Sequence, residues 1–237
     1  MSLLDMILIL FFLMFIVVGF KNGVIREMAS LLGVIIVFFL AYTLKGFVGD
    51  LFCMIFPFFS FSGVLEGISA INILFYQMIA FLLLFSILLG IYGIVFKISK
   101  VLQKIVNFTI ILWLPSKLLG GVIGAVKGYF VILVGLLVFI VPFQNSEFFK
   151  ESKISSWILY QTPFVSHYTK EFTSSVEEIY QLGEEVTKKS ITKEEANLKT
   201  LDLLLKYKMV SKSTVEKLIK AHKLDSISNY ESVLAKY

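Results

Sequence analysis

Apolar residues run on for bilayer length four times in the first 143 positions, at about 3–20, 24–44, 71–96 and 118–141. A transmembrane helix needs roughly 20 such residues. The pattern therefore predicts an all-α, polytopic membrane protein with four transmembrane helices in a membrane domain over residues 1–143. Only Lys21-Asn22-Gly23 separates the first two runs. Asn-Gly is a turn dipeptide, and so short a link forces a tight antiparallel hairpin. The second run carries Ala29, Gly33 and Ala41 on one side, which lets another helix approach closely. In the third run Asn72, Tyr76, Ile79, Leu83, Ser86, Gly90 and Gly93 recur at alternating fours and threes. That is a single helix face, expected to meet protein rather than lipid.

Residues 45–70 break the pattern. They hold Gly46, Gly49, Pro57, Gly63 and Gly67 around the stretch LFCMIFPFFSF. Cut by proline and too short, it cannot span a bilayer. An interfacial or re-entrant loop is expected, and a buried loop lining a path is the sharper alternative. After the third run, Lys97, Lys100 and Lys104 share one face, and Ile98, Val101, Ile105, Phe108 and Leu112 share another. This spacing predicts an interfacial amphipathic helix whose lysines meet anionic headgroups. A solvated continuation of the third span is the plainer alternative.

The fourth run, KLLGGVIGAVKGYFVILVGLLVFIVPF from Lys117 to Phe143, has its own pattern. On a helix, Gly120, Gly121, Gly124, Gly128 and Gly135 share roughly 120° of circumference with Lys127 and Val131, opposite a side of Ile, Leu, Val and Phe. This glycine face reads as a helix-packing surface or as the wall of a pore. Lysine at such depth is costly unless it snorkels to the surface or meets an acid. Glu27, which opens the second span on the same side, is the candidate partner. Arg26, Lys21 and the helix N-terminus compete for it.

Residues 144–171 read as a membrane-proximal segment, because Trp157, Tyr160 and Tyr168 suit the interface. Residues 172–237 read as an amphipathic helical C-terminal tail. Phe172, Val176, Ile179, Gly183 and Val186 form a stripe. Thr192-Lys193-Glu194-Glu195 and Ser213-Thr214-Val215-Glu216 read as capping boxes. These helices are expected to dock on a partner or to pack on one another.

A hydrophobic share of 57% and a mean hydropathy of +0.86 fit the membrane class. Eight Lys/Arg and four Asp/Glu lie before residue 143. The net positive charge thus belongs to the membrane part, which favours anionic lipid over nucleic acid as a contact. Lys21 and Arg26 follow span one, and Lys97, Lys100, Lys104 and Lys117 follow span three. The positive-inside rule places both links in the cytoplasm and both termini outside it. The first span is read as retained, since no basic residue precedes it and no small-residue cleavage signal follows. His167 and His222 have no second ligand at metal spacing, and His222 is expected to pack on an apolar helix face. Cys53 has no base beside it. The glycines near Gly120 lack the Gly-Lys-Ser/Thr ending of a phosphate loop. No catalytic, metal or cofactor site is expected, and the chain is read as not an enzyme.

GFKNGVIREMASLLG, from Gly19 to Gly33, resembles the first hairpin of the colicin V production protein (CvpA) family, through Gly19, Lys21, Gly23, Arg26 and Glu27. LPSKLLGGVIGAVKGYFVI resembles that family's fourth span. The resemblance covers roughly residues 3–165. The chain departs from the pattern at Asn22, where a basic residue is common, and at Ser116-Lys117, where Asp-Arg is frequent. The tail after about Phe172 has no counterpart. What the resemblance implies is a multi-pass protein of the bacterial inner (cytoplasmic) membrane, tied to export of a peptide toxin and to envelope homeostasis. Two readings follow. One is a non-enzymatic, homo-oligomeric factor whose tail recruits an unidentified envelope or export protein. The other is a small oligomeric channel or transporter subunit that uses the glycine face of span four.

Overall fold

The computed structural model describes residues 2–98, 113–143, 146–162, 165–224, 227 and 229–237. All regular structure among them is helical. Four long helices coincide with the apolar runs: α1 (Leu3–Asn22), α2 (Val24–Ile55), α3 (Ile71–Ile98) and α4 (Trp113–Phe143). All four are long and apolar enough to cross a membrane. After them come α5 (Glu147–Lys150), α6 (Lys153–Ser156) with a wide π-type turn over Trp157–Gln161, α7 (Val165–Thr187), α8 (Lys193–Lys206), α9 (Lys212–Lys220) and α10 (Tyr230–Leu234).

These elements form two units. One comprises Met1–Tyr42 with Leu83–Thr162, and the other Thr43–Leu82 with Pro163–Tyr237. The helical tail thus shares a unit with the connection between α2 and α3.

In the first unit α1 runs along α4. Its start is fixed by Ser2 and Asp5, which form a reciprocal cap: Asp5 N donates to Ser2 Oγ at 3.1 Å, and Ser2 N to Asp5 Oδ2 at 3.2 Å. Asp5 is buried. Its Oδ1 also accepts from Ser152 Oγ at 2.6 Å and from the Ile154 N–H at 3.1 Å. One carboxylate therefore satisfies the open N–H groups of two helix starts, α1 and α6. The small residues of α2 receive Tyr92 of α3. The ring lies over Gly33, where any side chain would collide with it, and its hydroxyl donates to Ala29 O at 3.0 Å.

In the second unit α2 continues to Ile55, well past the expected end near residue 44. Gly46 and Gly49 do not break it. At Gly49 an added Cβ would stand 2.7 Å from Gln77 Cγ, so the missing side chain lets α3 approach. The helix stops just before Pro57, whose ring disfavours helical geometry in the preceding residue. Only 56–70 leaves the helix. Its backbone is held by buried Asn72, which accepts from the Phe59 N–H at 2.8 Å and donates to Phe59 O and Ser69 O at 3.1 Å each. Tyr76 Oη donates to Pro57 O at 2.5 Å. Further along the same α3 face, Ser86 and Gly90 are exposed, and among the described residues a Cβ at Gly90 or Gly93 would meet nothing within 4 Å.

The tail packs on this connection. Gly183 of α7 lies so close to Val64 that no side chain fits between them. Asn197 of α8, also buried, accepts from the Ala70 N–H at 2.9 Å and from Ser69 Oγ at 3.1 Å, and donates to Gly67 O at 2.8 Å. On α2, Asp50 accepts from Thr214 Oγ1 of α9 at 2.7 Å and from Lys217 Nζ at 2.9 Å. Leu65, Ile68, Leu201, Leu204, Val215 and Leu218 are buried in this unit.

Two expectations for the tail need correction. Helix α8 starts at Thr192 as read, with the Thr192 side chain accepting from the Glu195 N–H. Helix α9 is capped by Ser211 instead of Ser213, its hydroxyl accepting from the Thr214 N–H at 3.1 Å. His222 is exposed and lies past the end of α9 at φ 55°, not on an apolar face. The cause is a left-handed stop: Lys223 N donates back to Leu218 O at 3.0 Å. Lys189 and Lys208 stop α7 and α8 the same way, at φ 59° and 52°. Glycine is usual at such stops, and none marks these three.

Candidate functional site

The glycine face of α4 meets the backbone of α1. A Cβ at Gly120 would lie 2.5 Å from Gly19 O and 2.8 Å from Gly23 Cα. At Gly124 it would run into the Phe15 carbonyl and lie 3.0 Å from Gly19 Cα, and at Gly128 it would lie 2.8 Å from Phe15 Cβ. Gly121 has ordinary room, with Ile16 O at 3.8 Å, and a Cβ at Gly135 would meet nothing within 4 Å. Gly120, Gly124 and Gly128 therefore form the packing seam. Gly121 borders it, and Gly135 lies outside it.

The hairpin closes one end of the seam. Gly23 adopts φ +78° in the single-residue gap between α1 and α2, a conformation that strains any residue with a Cβ. A side chain there would also press on Ser116 Oγ at 3.0 Å. Ser116, on α4, accepts from the Val24 N–H at 3.3 Å. It thus supplies a partner to an N–H that the start of α2 leaves open.

Inside this closure sits an ion pair. Glu27 is fully buried and Lys127 is 5% exposed. Glu27 Oε1 faces Lys127 Nζ, joining α2 to α4. Asn22 Nδ2 donates to Glu27 Oε2 at 2.9 Å, and Lys127 Nζ donates to Ser30 Oγ at 3.1 Å. The ammonium also lies 5.6 Å from the Phe15 ring centroid, within reach of a cation–π attraction. A charge pair with further hydrogen bonds on both partners meets the condition for burying ions in a low-dielectric setting. The arrangement fixes the register of three spans. Lys21 and Arg26 are exposed and leave Glu27 to the lysine. Lys97, exposed, ends the third span. Lys100 and Lys104, with most of the expected amphipathic helix, lie outside the described residues.

Four participants escaped sequence reasoning. Ser30 lies three residues after Glu27 on the same helix face, a legible signal. Asn22 and Ser116 stand at the two departures from the family pattern, and both become hydrogen-bond partners of the hairpin. Asp5 carried no signal beyond being an acid at the mouth of a span.

A comparison with protein-family models matches residues 4–163 to the family described as "Colicin V production protein". Comparisons with curated proteins and with solved structures gave no match.

Proposed function

Because the chain belongs to the colicin V production protein family, whose description ties it to a role in colicin V production, we propose that it acts there as a non-enzymatic scaffold. It supports export of a peptide toxin, or the envelope homeostasis that export depends on, by holding a rigid helical assembly in the inner membrane. The observation that supports this reading is the filled seam: the glycine face that could have lined a path is occupied by the backbone of α1, and its lysine is paired. The basic links face the cytoplasm and both termini lie outside, as the distribution of Lys and Arg favours. The scaffold works as a homo-oligomer, and its tail, folded onto the α2–α3 connection, offers an export or envelope protein an ordered surface.

The seam is tested by Gly121→Cys in a Cys53→Ala background, chosen because Gly121 borders the seam and has room for a side chain. A membrane-impermeant maleimide should leave this thiol unlabelled in intact membranes and label it after denaturation. Rapid labelling of the folded protein would refute the dry scaffold. A phosphatase fused after Tyr237 should be active outside the cytoplasm; an inactive fusion overturns the orientation. The second reading, a small channel or transporter subunit, draws on the buried Glu27–Lys127 pair, since intramembrane ionisable residues mark ion and proton paths. Rapid labelling at position 121 is the result it requires.

A further inference from the structure

Along the seam α1 and α4 touch through Gly19, Gly120 and Gly124, yet they part toward the start of α1 and the end of α4. The gap is a wedge of about 420 Å³, within the roughly 300–1,000 Å³ of small-ligand sites. Its lining is apolar throughout, including Leu8 and Phe11 of α1 and Val131 and Phe139 of α4. Gly135 is part of that lining and has open space where its side chain would be. Phe148 and Phe149 of α5 close one end. Glu147 and Lys150 flank these phenylalanines in sequence, both exposed, and neither is in an ion pair among the described residues.

We propose that this wedge holds one acyl chain of a phosphatidylethanolamine-type lipid, with its phosphate at Lys150 and its ammonium at Glu147. The chain is not driven in by the hydrophobic effect, because bilayer tails are as apolar as the lining. Occupancy follows from shape: a gap between two spanning helices forfeits dispersion contacts unless something fills it, and an acyl chain reaches it from the surrounding bilayer. Selectivity comes from the headgroup. A carboxylate and an ammonium on one helical turn, flanking the two phenylalanines in sequence, match a zwitterion carrying N–H donors, and Glu147 repels a headgroup that offers only negative charge.

The test uses the full-length protein in vesicles of phosphatidylethanolamine and phosphatidylglycerol. One arm carries a trace of phosphatidylethanolamine with a photoreactive acyl chain, and the other a phosphatidylglycerol with the same chain. After irradiation, phosphatidylethanolamine adducts should concentrate on residues 4–11 and 131–143. Gly135→Leu fills the wedge without meeting any atom within 4 Å of its Cβ. It should lower these adducts about tenfold, equivalent to about 1.4 kcal/mol, while the melting temperature stays equal or rises. Glu147→Gln with Lys150→Gln should bring phosphatidylethanolamine labelling down to the phosphatidylglycerol level. Adducts spread evenly over all four spans would overturn the proposal. So would equal labelling by the two lipids, labelling indifferent to Gly135→Leu, or a crosslink from these segments to a second copy of the chain.

Discussion

Removing one member of the Glu27–Lys127 pair leaves the other as a buried, unpaired charge between spans. Lys127→Met strands a fully buried carboxylate with one amide donor, Asn22. Glu27→Leu strands an ammonium that keeps Ser30 Oγ and the Phe15 ring as partners. Breaking a buried pair from one side costs about 3–5 kcal/mol, and an unpaired lysine at membrane depth about 2.5–3.5 kcal/mol. About 3 kcal/mol per single change is therefore expected, a fall in melting temperature of roughly 6–12 °C for a chain of this size. The double change removes both charges. Replacing a buried pair by apolar side chains is often neutral, and releasing Asn22 and Ser30 costs about 1 kcal/mol each. The double variant should thus lie within about 2 kcal/mol of the parent. The assay is reversible unfolding of all four proteins in one mild detergent, combined as a double-mutant cycle. A coupling of at least about 4 kcal/mol, above the usual range of about 0.5–3 kcal/mol for contacting residues, is expected. Single losses that add to within about 0.5 kcal/mol in the double variant would refute the reasoning.

Gly124→Ala drives a methyl into the Phe15 backbone and should cost at least about 1–3 kcal/mol as overpacking. Gly121→Ala has room and should be neutral or stabilising by up to about 1 kcal/mol through helix propensity; thermal unfolding compares the two, and equal losses would contradict the assigned seam. Asn197→Leu leaves the Ala70 N–H and the Gly67 carbonyl without their buried partner, at about 1–3 kcal/mol per unsatisfied group. Hydrogen exchange should accelerate at residues 67–70 in that variant, and unchanged protection there would show that Asn197 is not what holds the connection.

Much of the membrane part was legible because its signals are strong in one dimension. Four apolar runs gave four spans, and Asn22-Gly23 gave the hairpin. The glycines at helical spacing with Lys127, and Glu27 on the same predicted side, picked out residues that the fold brings together. What stayed hidden depends on depth and on distant partners. Gly135 shares the angular face of Gly120 and Gly124, but the α1–α4 divergence removes it from the seam, and periodicity carries no information on where two helices part. The end of α2 moved by about three turns, from 44 to Ile55, because Gly49 is a contact with Gln77, not a breaker. Ser86 and Gly90, on the polar and small stripe of α3, are exposed among the described residues of the single chain. In the tail, the amphipathic faces were readable but their destination was not. Asn72 was legible only as part of a protein-facing stripe and Asp50 carried no assigned role, and the fold shows each to be an anchor. Stops at Lys189, Lys208 and His222 use non-glycine residues in left-handed geometry, so no residue-type cue announces them.

The discontinuity of the second unit has a consequence for biosynthesis. Residues 43–82 leave the ribosome well before Asn197, Thr214 and Lys217, which satisfy Ala70 and Asp50 and follow them by more than 100 residues. At roughly 5–20 residues per second, the wait is on the order of ten seconds, during which the last two spans are also inserted. Through that interval Asp50 and the 67–70 backbone stand without their final partners. A nascent chain is thus most open to proteolysis or to mispairing at its α2–α3 connection. A chain cut between residues 163 and 196 would lack all three partners and make that transient exposure permanent, although every span had already been inserted.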